Sequence, residues 1–357
     1  MWCVFACVGR EKAGSVLPDC NVCLFKDLPS IVSGSQIGAI DPHEKYFNDE
    51  INRRSGYRWR MKEDHDVIIT LPDQFSPYKG KFGISDDVLS LGSFNGTLFR
   101  FPLRRIKSEL SPTLYTDEKL CTLFEGFMAD AHLVLLFLQH LESIELYVHD
   151  ECDAEPRRTF LVRIAEESLY LARDKRNEFR DKIRTGKLMP DPVQVTYPVT
   201  IETIKFNPLT ETGIQRHSFL VTNYFCGGDI SSEFKALASD ESLSYLPLVG
   251  VAMATTRPRE SLGHVFCFLP LPVQRTSLTG LPVHVNGFFA LSQNRRYIKY
   301  PNAEQENQER EGRQLTDKSL LWNRCLQDEA IPKAYAAMIM EAIHQKSFNV
   351  KAEDVYK

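Results

Sequence analysis

No apolar stretch in this chain reaches the roughly 18 residues that span a bilayer, so no membrane-crossing helix is expected. Positive charge is not in excess either. Its 43 Lys and Arg face 47 Asp and Glu, a net charge of −4, whereas nucleic-acid binding normally shows as a basic surplus. The opening Met1-Trp2-Cys3-Val4-Phe5-Ala6-Cys7-Val8 lacks the basic residues that precede a secretory signal. Short repeats are missing too. These absences point to a cytoplasmic protein whose partners are neither nucleic acid nor membrane.

No cysteine framework stands out: the nine in 357 residues are odd in number and scattered. That pattern fits reduced thiols better than a disulfide framework. Cys3, Cys7, Cys20 and Cys23 have the crude spacing of a zinc ribbon. Cys3 and Cys7, however, sit in an apolar run without the glycines and polar residues of a zinc knuckle, so free thiols are expected and no metal. No cysteine comes with an evident base, and no nucleophile elbow can be placed, which removes the grounds for a cysteine hydrolase.

What the chain does have is a composition that folds. With 43% hydrophobic, 25% charged and 11% aromatic residues, it can bury a sizeable core in two or three domains. The pattern predicts an α+β fold with strands clustered between two long helices. A short strand is expected at 36–40, ended by Asp41-Pro42, then a surface loop or hairpin over 48–66 and loop over 71–82. Acidic residues after Thr116 open a helix reaching Leu138, apolar nearly all round from Leu133 onward. Strands follow at 144–148 and 159–164, and a charged helix at 165–185 whose stripe is Leu169, Ala172, Arg176 and Phe179. Further strands are expected at 193–206 (interrupted by Pro198), 214–225, 246–254, 263–271 and 282–291, with a short helix at 231–239. Residues 301–315 are too polar to bury. A last helix runs from Asp317 to Gln345, kinked by Pro332.

The candidate functional residues centre on Asn95-Gly96-Thr97-Leu98-Phe99-Arg100-Phe101-Pro102-Leu103-Arg104, a strand with Leu98 on the face opposite Phe99. Gly96 and Thr97 either approach a phosphate or simply begin a tight strand with the Thr97 hydroxyl satisfied by backbone. Arg100, Arg104, Arg295 and Arg296 carry the planar donor fork that suits phosphate oxygens, or are surface and salt-bridged groups. His43, His132, His140 and His217 have no metal-ligand spacing and read as ordinary histidines.

Longer words then become specific. Asp27 to Gly34, Asp41-Pro42-His43, Pro72 to Tyr78, Gly96 to Arg104, Gly263 to Pro272, Thr279 to Leu291, Asn294-Arg295-Arg296, Leu321-Trp322-Asn323 and Ile331 to Tyr335 occur in the order of the sacsin internal repeat. Over about residues 25–345 the chain closely resembles that repeat. The resemblance implies a protein-quality-control chaperone or co-chaperone linked to the heat shock protein 70 class and to intermediate-filament proteins. Such a protein opposes inclusion-body formation. It also implies that each repeat opens with a Bergerat-type ATPase domain, like that of the ninety-kilodalton heat-shock chaperone. That site uses an Asn-bearing helix for magnesium, an Asp-x-Gly-x-Gly segment for adenine, a glycine-rich lid and a Gly-Thr strand.

Of these parts only Gly96-Thr97 matches here. Gly9 and Gly14 do not rebuild the lid, and Asn21 to Phe25 stands where the family has a glycine-bearing run. The expected organisation is an unmatched segment at 1–24, a Bergerat-type remnant at 25–115 and an α+β middle region at 116–300. A loop at 301–316 and a C-terminal helix with its tail at 317–357 complete it. Phosphoryl transfer rests on positioning and charge neutralisation, so no enzymatic activity is expected of this chain alone. ATP and magnesium would enter only if another chain or missing upstream sequence supplied the other half-site.

Overall fold

The structure, a computed structural model, describes residues 3–9, 28–44, 47, 54–65, 84, 92–104, 106–109, 111–149, 156–184, 190–206, 213–255, 262–272, 277–301 and 316–344. They fall into two compact units, Glu11–Cys121 and Met1–Arg10 with Thr122–Lys357. The mixture of sheets and helices bears out the α+β class. Cys20, Cys23, the segment 71–78 and the polar loop 302–315 lie outside the described residues. No described helix is long and apolar enough to cross a membrane.

The first unit is built on a four-stranded antiparallel sheet in the order β4-β3-β2-β5. β2 (Ser30–Gly34) and β3 (Gln36–Ile40) form a hairpin turned at Gly34, whose φ of 54° favours glycine. β4 (Gly56–Arg60), inside the stretch expected as loop or hairpin, is one edge, and β5 (Phe94–Arg100) is the other. Period-two alternation puts Val32, Ile37, Trp59 and Leu98 on one face. There they pack with Leu28, Ala39, Met61 and Ile84. The opposite face carries Ile31, Ser33, Gln36, Gly38, Ile40, Arg58, Thr97 and Phe99.

The second unit is a nine-stranded sheet, β1-β6-β7-β8-β9-β10-β13-β11-β12. Its strands are β1 (Cys3–Gly9), β6 (Ser143–His149), β7 (Arg157–Ile164), β8 (Val193–Lys205), β9 (Gly213–Phe225), β10 (Leu248–Ala254), β11 (Val265–Cys267), β12 (Leu269–Pro270) and β13 (Val283–Gly287). Neighbours are antiparallel except β1 with β6 and β11 with β13. One face packs against the C-terminal part of α1 (Asp117–Val134) and against α2 (Glu166–Ile183). The other packs against α3 (Ser232–Ala238), α4 (Lys318–Cys325) and α5 (Ile331–His344). Cover on both faces explains why β9 is buried on alternate residues of either parity from Phe219 onward.

Four local expectations are corrected. α1 stops at Val134 rather than Leu138, yet Leu135, Leu136 and Phe137 are wholly buried without being helical. The cause is Arg176 on α2. Its guanidinium donates to Leu135 O (2.7 Å), Leu141 O (3.2 Å) and Tyr197 Oη (3.2 Å), so a side chain satisfies the turn's carbonyls. Pro198 does not interrupt β8, which pairs with β9 over its whole length. Thr200 N points away from β9, to Ser168 Oγ, so the proline nitrogen two residues earlier points the same way and no β9 bond is missing. The strand expected at 263–271 breaks at Phe268, whose φ is 64°, into β11 and β12. Finally, a π-helical turn, Leu326–Ala330, joins α4 to α5 just before Pro332. Wider i→i+5 bonding lets the chain pass a residue that has no N–H to give.

Candidate functional site

The strand expected to approach a nucleotide is held by its neighbours. Thr97 lies opposite Ser33, and the two hydroxyls share a 2.7 Å hydrogen bond on an exposed face. The strand-start alternative for Thr97 had its hydroxyl on backbone; the partner is instead a cross-strand side chain. A Cβ at Gly96 would meet the Phe94 ring at 3.2 Å, so glycine lets that ring fold under the strand. Arg100 pairs across from Ser30 on the core side and is half-buried. Arg104 donates to Ser108 Oγ, to Ser111 O (3.3 Å) and to Thr113 O (3.2 Å). Its fork therefore clamps a loop of neutral acceptors.

At the end of β5 and just beyond it, several large apolar side chains are exposed. Phe99 is 57% exposed, Phe101 68% and Ile106 78%, with Leu103 also exposed. The Phe99 and Phe101 rings stack at 6.2 Å with their planes 7° apart. Among the described residues β5 is an edge strand of its sheet. Next to it, on the same face, a shallow concavity of about 370 Å³ is lined by Ile31, Ser33, Gln36, Gly38, Ile40 and Arg58 among others. The Arg58 guanidinium there donates to Gln36 Oε1 (3.4 Å).

Arg295 and Arg296 belong to the other unit. Both arginines are exposed on a turn in which Arg295 N donates to Ser292 O (2.7 Å) and Arg296 N to Asn294 Oδ1 (3.1 Å). Arg295 has φ 55°, a geometry set by the turn. The loop beneath is fixed by α4. Asn323 accepts from Ala290 N (2.8 Å) and donates to Ala290 O (2.9 Å) and Lys299 O (3.0 Å), while Trp322 Nε1 donates to Phe288 O (2.8 Å).

A second constellation was not read in the sequence. His132 of α1, His217 of β9, His284 of β13 and His264, just ahead of β11, meet on one face of the large sheet. The His132 and His217 rings stack at 4.0 Å and 16°, with Phe219 beside His132 at 6.3 Å. Phe219 in turn meets His284 at 5.9 Å, and His264 and His284 lie 5.7 Å apart. Burial and the three other imidazoles push His132 down to about 3, and burial with His264 pushes His284 down to about 4. His217 is lowered by burial. Two of these residues, His132 and His217, read from the sequence alone as ordinary histidines. The available signal was a histidine set between apolar strand residues, as in Val283-His284-Val285. Among the described residues no group of three or more His, Cys, Asp or Glu is arranged to hold a metal ion.

Comparison with known proteins places these features in a family. Residues 20–160 match the family model described as "Sacsin domain". The chain is also 37% identical to human sacsin over 351 residues, covering 93% of this chain and 7% of that protein. This chain is a sacsin-related region. It spans about 7% of the length of the curated relative that it matches.

Proposed function

We propose that this sacsin-type region works by binding protein rather than by chemistry. In this reading it is a cytoplasmic chaperone or co-chaperone segment in protein quality control. It engages non-native clients, intermediate-filament proteins among them, and a heat shock protein 70 class chaperone, and it opposes inclusion-body assembly. The observation that carries the reading is the edge of the small sheet. Exposed aromatic and aliphatic side chains on an edge strand offer both apolar contact and free strand-pairing capacity to an extended segment. In the same reading the small sheet is the closing part of a Bergerat-type domain, no catalysis occurs on this chain alone, and no cofactor is held.

Calorimetric titration tests it. The chain is expected to bind a reduced, unfolded client, and Phe99→Ser with Phe101→Ser to weaken that binding at least fivefold while leaving the folded core intact. No affinity of the parent chain for either client or heat shock protein 70, or unchanged affinity in the double variant, would count against it. The rival, an ATP site completed by another chain or by missing upstream sequence, rests on Gly96-Thr97 alone. It predicts heat on titration with magnesium ATP once the missing half is supplied, diminished by Thr97→Ala.

A further inference from the structure

The four histidines, His284 buried and His132, His217 and His264 half-buried, are a cluster that the proposed function does not use. They come from four separate pieces of chain, so they tie α1 to β9, to β13 and to the segment entering β11. Two geometric facts make the tie sensitive to protons. First, the His264 backbone N–H donates to His284 Nδ1 at 3.1 Å, so that nitrogen is an acceptor and carries no proton. An imidazolium donates from both nitrogens, so charging His284 at Nδ1 must break this bond. Second, stacked rings at 4.0 Å pack well when neutral and repel when both are charged.

Among the described residues no carboxylate acts on His132. The groups facing His132 are His217 from β9, His284 from β13 and His264 from the segment before β11, and among the described residues none of the four bonds to a carboxylate. The nearest acids and bases on the adjoining strands point the other way. Arg216 precedes His217 and Glu202 follows Ile201, and these two bond to each other at 2.7 Å on the opposite face.

We propose that the four-imidazole cluster is a proton-operated latch that holds the C-terminal part of α1 on the sheet while uncharged and releases it on acidification. The sign follows from linkage. Imidazoles whose folded pKa is depressed bind more protons when released or unfolded. The stability they confer is therefore complete above about pH 6.5, the ordinary value. It is lost as pH falls from there towards the folded values of about 3 and 4. Between pH 7.5 and 5.5 each strongly depressed histidine should lower the folding constant about tenfold, and His132 with His284 about a hundredfold together.

The experiment compares urea unfolding of the parent chain and of the variant His132→Phe with His284→Asn at both pH values. Phe keeps a ring to stack on His217, and the Asn oxygen replaces the Nδ1 acceptor. The expected result is a fall of about a hundredfold in the parent and a much smaller one in the variant. Ring-proton NMR titration of the unmutated chain gives an independent reading that survives if the variant fails to fold. His132 should stay neutral in the folded form at pH 5.5. Amide exchange, corrected for intrinsic rates, should rise in α1 before it rises in β8 and β9. A parent that loses no more stability than the variant, a native His132 titrating near 6.5, or α1 exchanging only with the whole unit would overturn the latch.

Discussion

Replacing Arg176 by methionine is a demanding check on how the large unit is held together. The Arg176 side chain is 2% exposed and donates to two main-chain carbonyls and a tyrosine hydroxyl. Among the described residues no carboxylate bonds to it, and Glu142, which acts on it at longer range, is itself paired with Arg173 at 2.8 Å. Two effects oppose each other. Removing a buried charge returns a desolvation cost of several kcal/mol, and methionine recovers most of the apolar contact. Against this, hydrogen bonds from a charged donor contribute about 1.5–3 kcal/mol each, and each buried acceptor left without a partner costs about 1–3 kcal/mol. Leu135 O and Leu141 O lie in a turn with no helix or sheet to adopt them, so the second effect should win by about 2–4 kcal/mol. Arg176→Lys keeps the charge but not the fork and should be destabilised by a similar amount. Urea melts should show a lower midpoint with an unchanged slope. A methionine variant as stable as the parent, or more so, would refute the reasoning.

Two further outcomes separate packing from surface effects. A Cβ at Gly263 would sit 1.6 Å from Val283 O, so Gly263→Ala should cost about 3 kcal/mol or more. Gly126→Ala on an open stretch of α1, where no atom lies within 4 Å, should instead stabilise by about 0.5–1 kcal/mol in thermal melts. Thr97→Val removes the bond to Ser33 on an exposed cross-strand pair and should cost about 0.5–1 kcal/mol. In a double-mutant cycle with Ser33→Ala the two losses should be far from additive.

The large unit was legible in the sequence where burial imposes a simple period. β6, β7, α2 and the alternating β9 follow from apolar spacing, and the capped start of α4 follows from Asp317, whose side chain accepts from Ser319 N. What was hidden depends on partners distant along the chain. The end of α1 at Val134 is decided by Arg176, a residue that reads as one charge among many in α2. Passage through Pro198 depends on which neighbour its nitrogen faces, and passage through Pro332 on a π-helical turn just before it. For the site, the Thr97 strand was found with Leu98 and Phe99 on opposite faces, which of them faces the core was not, and the six chosen residues are divided between two units. Meanwhile, histidines from position 132 to position 284 converge, and no short-range spacing encodes that.

The β8–β9 pairing has a kinetic meaning. Thirteen consecutive residue pairs run in register from Val193 with Phe225 to Lys205 with Gly213, joined across a short connection. Such a hairpin closes a small loop before it gains its contacts, whereas joining β1 to β6 closes one that includes the whole of the first unit. Folding of the large sheet thus has a natural starting seam at its centre and a late, entropically costly edge. During synthesis β1 is made first and is left to wait, or to be paired by something else, until β6 follows it.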